Sequence, residues 1–93
     1  MLMVSKRMQE NLERISKAIE TLQIVADNTT TPRNIRKTVK DCITMLQDDK
    51  LSPAVRAANV ISMLDEVLQD PNMPSHSRVT LWSAVSILEG IRE

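Results

Sequence analysis

Phenylalanine and tyrosine are absent from the 93 residues, and tryptophan, glycine, cysteine and histidine occur once each. Each scarcity removes a class of answer. Strands draw on aromatic residues and their hairpins on glycine, so the composition argues against an all-β fold. One glycine leaves no glycine-rich loop to cradle phosphates. One cysteine, Cys42, leaves no intramolecular disulfide and no thiol-based metal cluster. The sole histidine, His76, has Met73 three residues before it, so the Glu-x-x-His pairs of a carboxylate-bridged metal centre are missing. "DDKLSPAVRAAN" and "DPNMPSHSRVTL" lack the glutamate that closes a calcium loop. No metal or cofactor is therefore expected.

Long apolar runs are missing too. No window approaches the ~20 apolar residues of a membrane span, and "MLMVSKRMQENLER" has no signal-peptide core. The expectation is a cytoplasmic protein without membrane association. Charge excess is absent as well, with 12 Lys and Arg against 12 Asp and Glu. The distribution is uneven, however: residues 1–40 are net basic and residues 41–93 net acidic. That pattern disfavours bulk nucleic-acid affinity and permits a local basic patch.

What is present is helix-forming. Ala, Leu, Met, Gln, Glu and Lys dominate. From about 5 to 27 the apolar positions Met8, Leu12, Ile15, Ile19, Leu22 and Ala26 step by four and three, as one helical stripe does. Opposite them, Glu10–Arg14 and Glu13–Lys17 have the spacing of i,i+4 pairs on a solvated face. Thr31 followed by Pro32 reads as an N-cap and first helical residue, opening a helix over 32–48 that buries Ile35, Val39, Cys42, Ile43 and Leu46. Ser52 and Pro53 repeat the signal for a helix over 53–69, ended by Asp70-Pro71. Pro74 opens the last, over 74–91, with Leu81, Trp82, Val85 and Leu88 expected inward and Ser75 an alternative cap.

Pro32, Pro53 and Pro74 are spaced by 21 residues. That offset superposes Val39, Val60 and Leu81, then Ile43, Leu64 and Val85, then Leu46, Val67 and Leu88, a weak repeat of one helix and one turn. Short linkers favour antiparallel neighbours, so residues 1–93 are expected to form a single all-α domain, an antiparallel four-helix bundle. A short α-solenoid fragment is the alternative.

Each proline is followed by an arginine (Arg36, Arg56, Arg78) and preceded by acids (Asp27, Asp48 with Asp49, Asp70). A cation near a helix start opposes the macrodipole and needs compensation. Arg56 and Arg78 fall near apolar faces, so they are expected to be buried clamps between turns and adjacent helices, ion-paired to these acids or bonded to helix-end carbonyls. "LSPAVRAANVISML" resembles the inner helix of a HEAT repeat. "NTTTPRNIRK", "LSPAVRAANVISMLDE" and "DPNMPSHSR" together resemble a family of small uncharacterised archaeal proteins, over most of residues 15–91. That resemblance implies an all-helical fold and a cytoplasmic setting, and supplies no activity or site.

Catalysis has little to work with. Cys42 lies on a buried stripe, and His76 sits in the first turn of another helix. No enzyme is expected. For binding, Arg33, Arg36, Lys37 and Lys40 form one basic stripe at i, i+3, i+4 and i+7 near a helix start, a candidate site for RNA or another anion. Its other reading is a solvated face. No aromatic accompanies it for base stacking. The third helix is apolar around most of its circumference, which suits a central helix or a surface for a homodimer or a protein partner. The sequence therefore reads best as a non-enzymatic interaction module, an adaptor or small accessory subunit, with anion or RNA binding as the alternative.

Overall fold

The computed structural model describes residues 5–92. It contains α1 (Lys6–Ala26), α2 (Arg33–Leu46), α3 (Pro53–Val67) and α4 (Ser75–Glu89). Two starts are capped by serine: Ser5 Oγ accepts from Met8 N at 3.1 Å, and Ser52 Oγ from Val55 N at 3.3 Å. The other two are not capped as expected. Pro32 and Pro74 themselves occupy the N-cap positions of α2 and α4, with no side-chain bond. Thr31 is buried, and its hydroxyl lies 2.8 Å from Ser77 Oγ, tying the α1–α2 turn to the start of α4. Ser75 is the first residue of α4, not its cap.

The turns explain how the chain manages with one glycine. Every helix ends on a right-handed C-cap residue, and among the described residues none has positive φ. Instead an Asx turn follows each of the first three helices. Asn28 Oδ1 accepts from Thr30 N at 2.9 Å, Asp48 Oδ1 from Lys50 N at 3.1 Å and Asp70 Oδ1 from Asn72 N at 2.8 Å.

Consecutive helices run antiparallel, and α1 makes its most extensive seam with α4. A solenoid would hold its first and last helices apart, so this closure identifies a four-helix bundle. The seam between α3 and α4 is thinner, and α2 and α4 lie across the bundle from each other. The core is aliphatic, with Leu22, Ile35, Val39, Leu46, Val60, Leu64, Leu81 and Leu88 nearly or fully inaccessible. The 21-residue offset holds for these inward positions, with Val67 half-buried where Leu46 and Leu88 are buried.

Two helical faces are turned from where the apolar pattern puts them. In α1 the buried line is Asn11, Ile15, Ala18, Leu22 and Val25, while Met8 and Leu12 are 40% and 41% exposed. At 21 residues α1 is about 31 Å long against about 21 Å for α2, so its first two turns project past its neighbour. In α4 it is Ala84 that is buried, and Trp82 is 52% exposed. Ala18 and Ala84 are both fully buried, and small residues on each helix permit the close α1–α4 seam. Turning α4 to seat Trp82 there would place an indole where the helices need a methyl group.

Candidate interaction surface

The arginines belong to the scaffold. Arg56 is 8% exposed and donates from Nε to Leu51 O at 2.9 Å and from Nη1 to Leu46 O at 3.0 Å. Half-buried Arg78 donates from Nη1 to Leu68 O and from Nη2 to Asp70 O at 3.2 Å. Arg36 Nε reaches Thr31 O at 3.0 Å. Arg14, on the face expected to pair with Glu10, instead donates to Ile87 O at 3.2 Å near the end of α4. Leu46 O, Leu68 O and Ile87 O lie at helix ends, where carbonyls lack intrahelical donors and carry the negative end of the dipole. Arg56, Arg78 and Arg14 there each satisfy a hydrogen-bonding and an electrostatic need together, whereas Thr31 O and Leu51 O belong to the turns.

Carboxylates are not the partners of Arg56 and Arg78 among the described residues, which corrects the expected ion pairs. Asp48 and Asp70 shape turns instead, and Asp70 Oδ2 also accepts from Asn34 Nδ2 at 3.2 Å. Asp27 accepts from Gln23 Nε2 at 2.8 Å, and Asp49 is exposed. The burial of Arg56 has a numerical cause. The turn residues Asn28, Asp48 and Asp70 each stand eight residues before their arginine, giving offsets of 20 and 22 where the core repeats by 21. Arg56 therefore falls at the inward position held by Ile35 and Ser77, both buried.

Arg33, Arg36, Lys37 and Lys40 line one groove of about 310 Å³. Two of the four are already engaged: Arg36 by Thr31, and Lys37 by Asp41 at 3.5 Å. Between α2 and α3 lies a larger groove of about 540 Å³, walled by Met63 and Val67 and bordered by Asp41, Glu66 and Asp70.

The outer face of α4 is chemically different. Its exposed residues from 75 to 86 are Ser75, His76, Val79, Trp82, Ser83 and Ser86, none with a formal charge when the histidine is neutral. Val79 is 69% exposed beside the half-exposed indole. The only charged side chain in that span, Arg78, is turned against the end of α3. By contrast, the exposed residues of α1 include Lys6, Arg7, Glu10, Glu13, Arg14, Lys17 and Glu20. Sequence reasoning missed this face because Leu81, Val85 and Leu88 pack equally well with Trp82 or with Ala84 at their side. The run of serines around Trp82 was the available signal.

Cys42 is fully buried, and burial, aided by the Asp41 charge, pushes its thiol up to about 12. His76 Nε2 lies 3.4 Å from Thr30 Oγ1 and Nδ1 lies 3.5 Å from Ser77 Oγ, so the imidazole joins the hydroxyls linking the α1–α2 turn to α4. Among the described residues no three His, Cys, Asp or Glu side chains form a metal-binding group, and no helix is long and apolar enough to cross a membrane.

Residues 3–91 match UPF0147, described as an uncharacterised protein family. A UPF0147 protein of Metallosphaera sedula is 55% identical over 84 residues, covering 90% of this chain and 94% of that protein. One from Aeropyrum pernix is 46% identical, covering 90% and 92%. A crystal structure of a UPF0147 protein from Thermoplasma acidophilum superposes with a TM-score of 0.83 at 32% identity, over 90% of this chain and 99% of that one. A second, of MMP1188, a protein of unknown function, gives 0.84 at 34% identity, over 87% and 92%. With the family pattern spanning nearly the whole chain and the same helical arrangement in both crystal structures, this protein belongs to the UPF0147 family, whose relatives are small archaeal proteins.

Proposed function

We propose that the protein is a non-enzymatic helical interaction module, an adaptor or small accessory subunit, that meets a protein partner through the outer face of α4. One observation carries this reading: an exposed Trp and Val on a helical face without charge. Soluble surfaces keep such faces small and charged, whereas the centres of protein interfaces are depleted in charge and enriched in Trp. The inaccessible thiol of Cys42 supports the non-enzymatic part of the proposal. We place the module in the cytoplasm, with which a free buried thiol is compatible. The test is capture of partners from an archaeal lysate by wild type, Trp82→Glu, and the double variant Arg33→Glu/Lys40→Glu. The reading expects a defined protein held by wild type and the double variant and lost with Trp82→Glu. Capture that ignores Trp82 overturns it.

The second reading, binding of RNA or another anion, is favoured by the single groove that Arg33, Arg36, Lys37 and Lys40 share. Because Arg36 and Lys37 are engaged, Arg33 and Lys40 would lead such binding. Neutralising either cation should flatten the dependence of log affinity on log salt by ~1 for each phosphate it no longer binds. No RNA binding at low salt by the folded protein removes this reading.

A further inference from the structure

We infer that the outer face of α4 is a two-fold interface whose occupant is a second copy of this chain. The inference rests on the interaction reading above and names its partner. A two-fold axis brings a patch against itself, so net charge near the axis repels and a bulky residue needs a small one opposite. The α4 face meets both conditions. With two copies of α4 antiparallel and crossing between Trp82 and Ser83, residue pairs across the axis have numbers that add to 165. Trp82 then meets Ser83 of the second copy, Val79 meets Ser86, Ser75 meets Gly90 with the Arg14 guanidinium packed on it, and His76 meets Glu89. Every large side chain faces a small one, and the one acid among these pairs faces the imidazole.

The basic groove is built on α2, across the bundle from α4, and the acidic rim on α2 and α3. Beside α4 itself, Glu10, Glu13, Arg14 and Lys17 of α1 surround Ile87, a border of two acids and two bases with no net charge. A strongly acidic or basic partner would therefore find its complement on α2 and α3, while the α4 face from 75 to 86 offers it no ion pair in return for desolvation. A 15-residue helix is about 22 Å long and about 10 Å wide, so its face projects about 220 Å², roughly a quarter of the ~800 Å² per partner of a stable interface. The dimer is therefore weak and exchanging, with association in the micromolar range or above.

The test is sedimentation velocity of the full chain from about 1 µM to about 1 mM, with Trp82 emission followed over the same series. The expected result is a rise from the mass of one chain toward that of two, with emission moving to the blue as the indole is covered. Ser86→Glu leaves Trp82 in place and suits an exposed helical position, yet it sets a charge against Val79 of the second copy. It should weaken association at least tenfold while circular dichroism is unchanged. Mixing Ser86→Glu with Val79→Lys should restore it, because the register pairs those positions. Wild type that stays at the mass of one chain throughout overturns the inference, as does association indifferent to Ser86→Glu. A monomer that still captures a protein in a Trp82-dependent way overturns the dimer alone, and a monomer that captures none overturns the α4 reading with it.

Discussion

Replacing Arg56 by alanine removes two bonds at once. The guanidinium holds Leu51 O, at the turn, and Leu46 O, the last residue of α2, and the second bond is buried. A hydrogen bond from a charged donor contributes ~1.5–3 kcal/mol, and a buried acceptor left bare costs ~1–3 kcal/mol. These overlap, because the loss of the bond and the exposure of its acceptor are two sides of one event. Truncation also removes the buried stem. The expected destabilisation is about 2–4 kcal/mol. For a 93-residue domain with about 5–14 kcal/mol of total stability, that is a substantial share.

Urea unfolding followed by circular dichroism measures it as a lower midpoint with unchanged slope. Two companions separate the mechanism from simple truncation. Arg56→Lys keeps the charge and most of the stem but cannot present the same fork to both carbonyls, so it should lose about half as much. Arg36→Ala removes one bond from a half-buried residue and should cost about 0.5–1.5 kcal/mol. If Arg56→Ala falls within about 0.5 kcal/mol of wild type, the helix-end carbonyls are not being stabilised by the arginine and the reasoning fails.

Cys42 should resist thiol reagents in the native state and react only through opening, so Arg56→Ala should raise the labelling rate ~30-fold or more. Its thiol ionises near 9.0 when unfolded and near 12 when folded, so the unfolded chain gives up its proton first. Stability from this group is complete below about pH 9 and is lost at about 1.4 kcal/mol per pH unit as pH rises toward about 12, a slope that Cys42→Ala should abolish in denaturant titrations. Gly90 has an ordinary φ of −78°, but a Cβ there would fall 2.3 Å from Arg14 Nη1. Gly90→Ala should therefore displace the guanidinium from Ile87 O and be near neutral, whereas in an Arg14→Ala background it should stabilise by ~0.4–1 kcal/mol in thermal unfolding.

The helices, the prolines that open them and the 21-residue core period were legible because each has a sequence signal of its own. Proline breaks a helix and starts the next, and buried aliphatics recur at 3.6. Two things were not legible, each for a physical reason. Periodicity specifies an apolar stripe to within about one position, and the final rotation is chosen by the neighbour. On α4 the buried setting goes to Ala84 and the exposed one to Trp82, and no property of the α4 sequence alone distinguishes these settings. Which of the two expected partners the arginines take, carboxylates or helix-end carbonyls, was hidden differently. A carboxylate appears in the sequence as Asp or Glu, so a search for counter-charges to Arg56 and Arg78 finds Asp48, Asp49 and Asp70. A helix-end carbonyl belongs to any residue, here Leu46 and Leu68, and carries no letter. Yet the dipole makes those oxygens suitable acceptors wherever a helix ends. A cation that follows a turn after a helix should thus be tested against the carbonyls of that helix before its acids. Here that preference leaves Asp48 and Asp70 free to build the Asx turns that replace glycine.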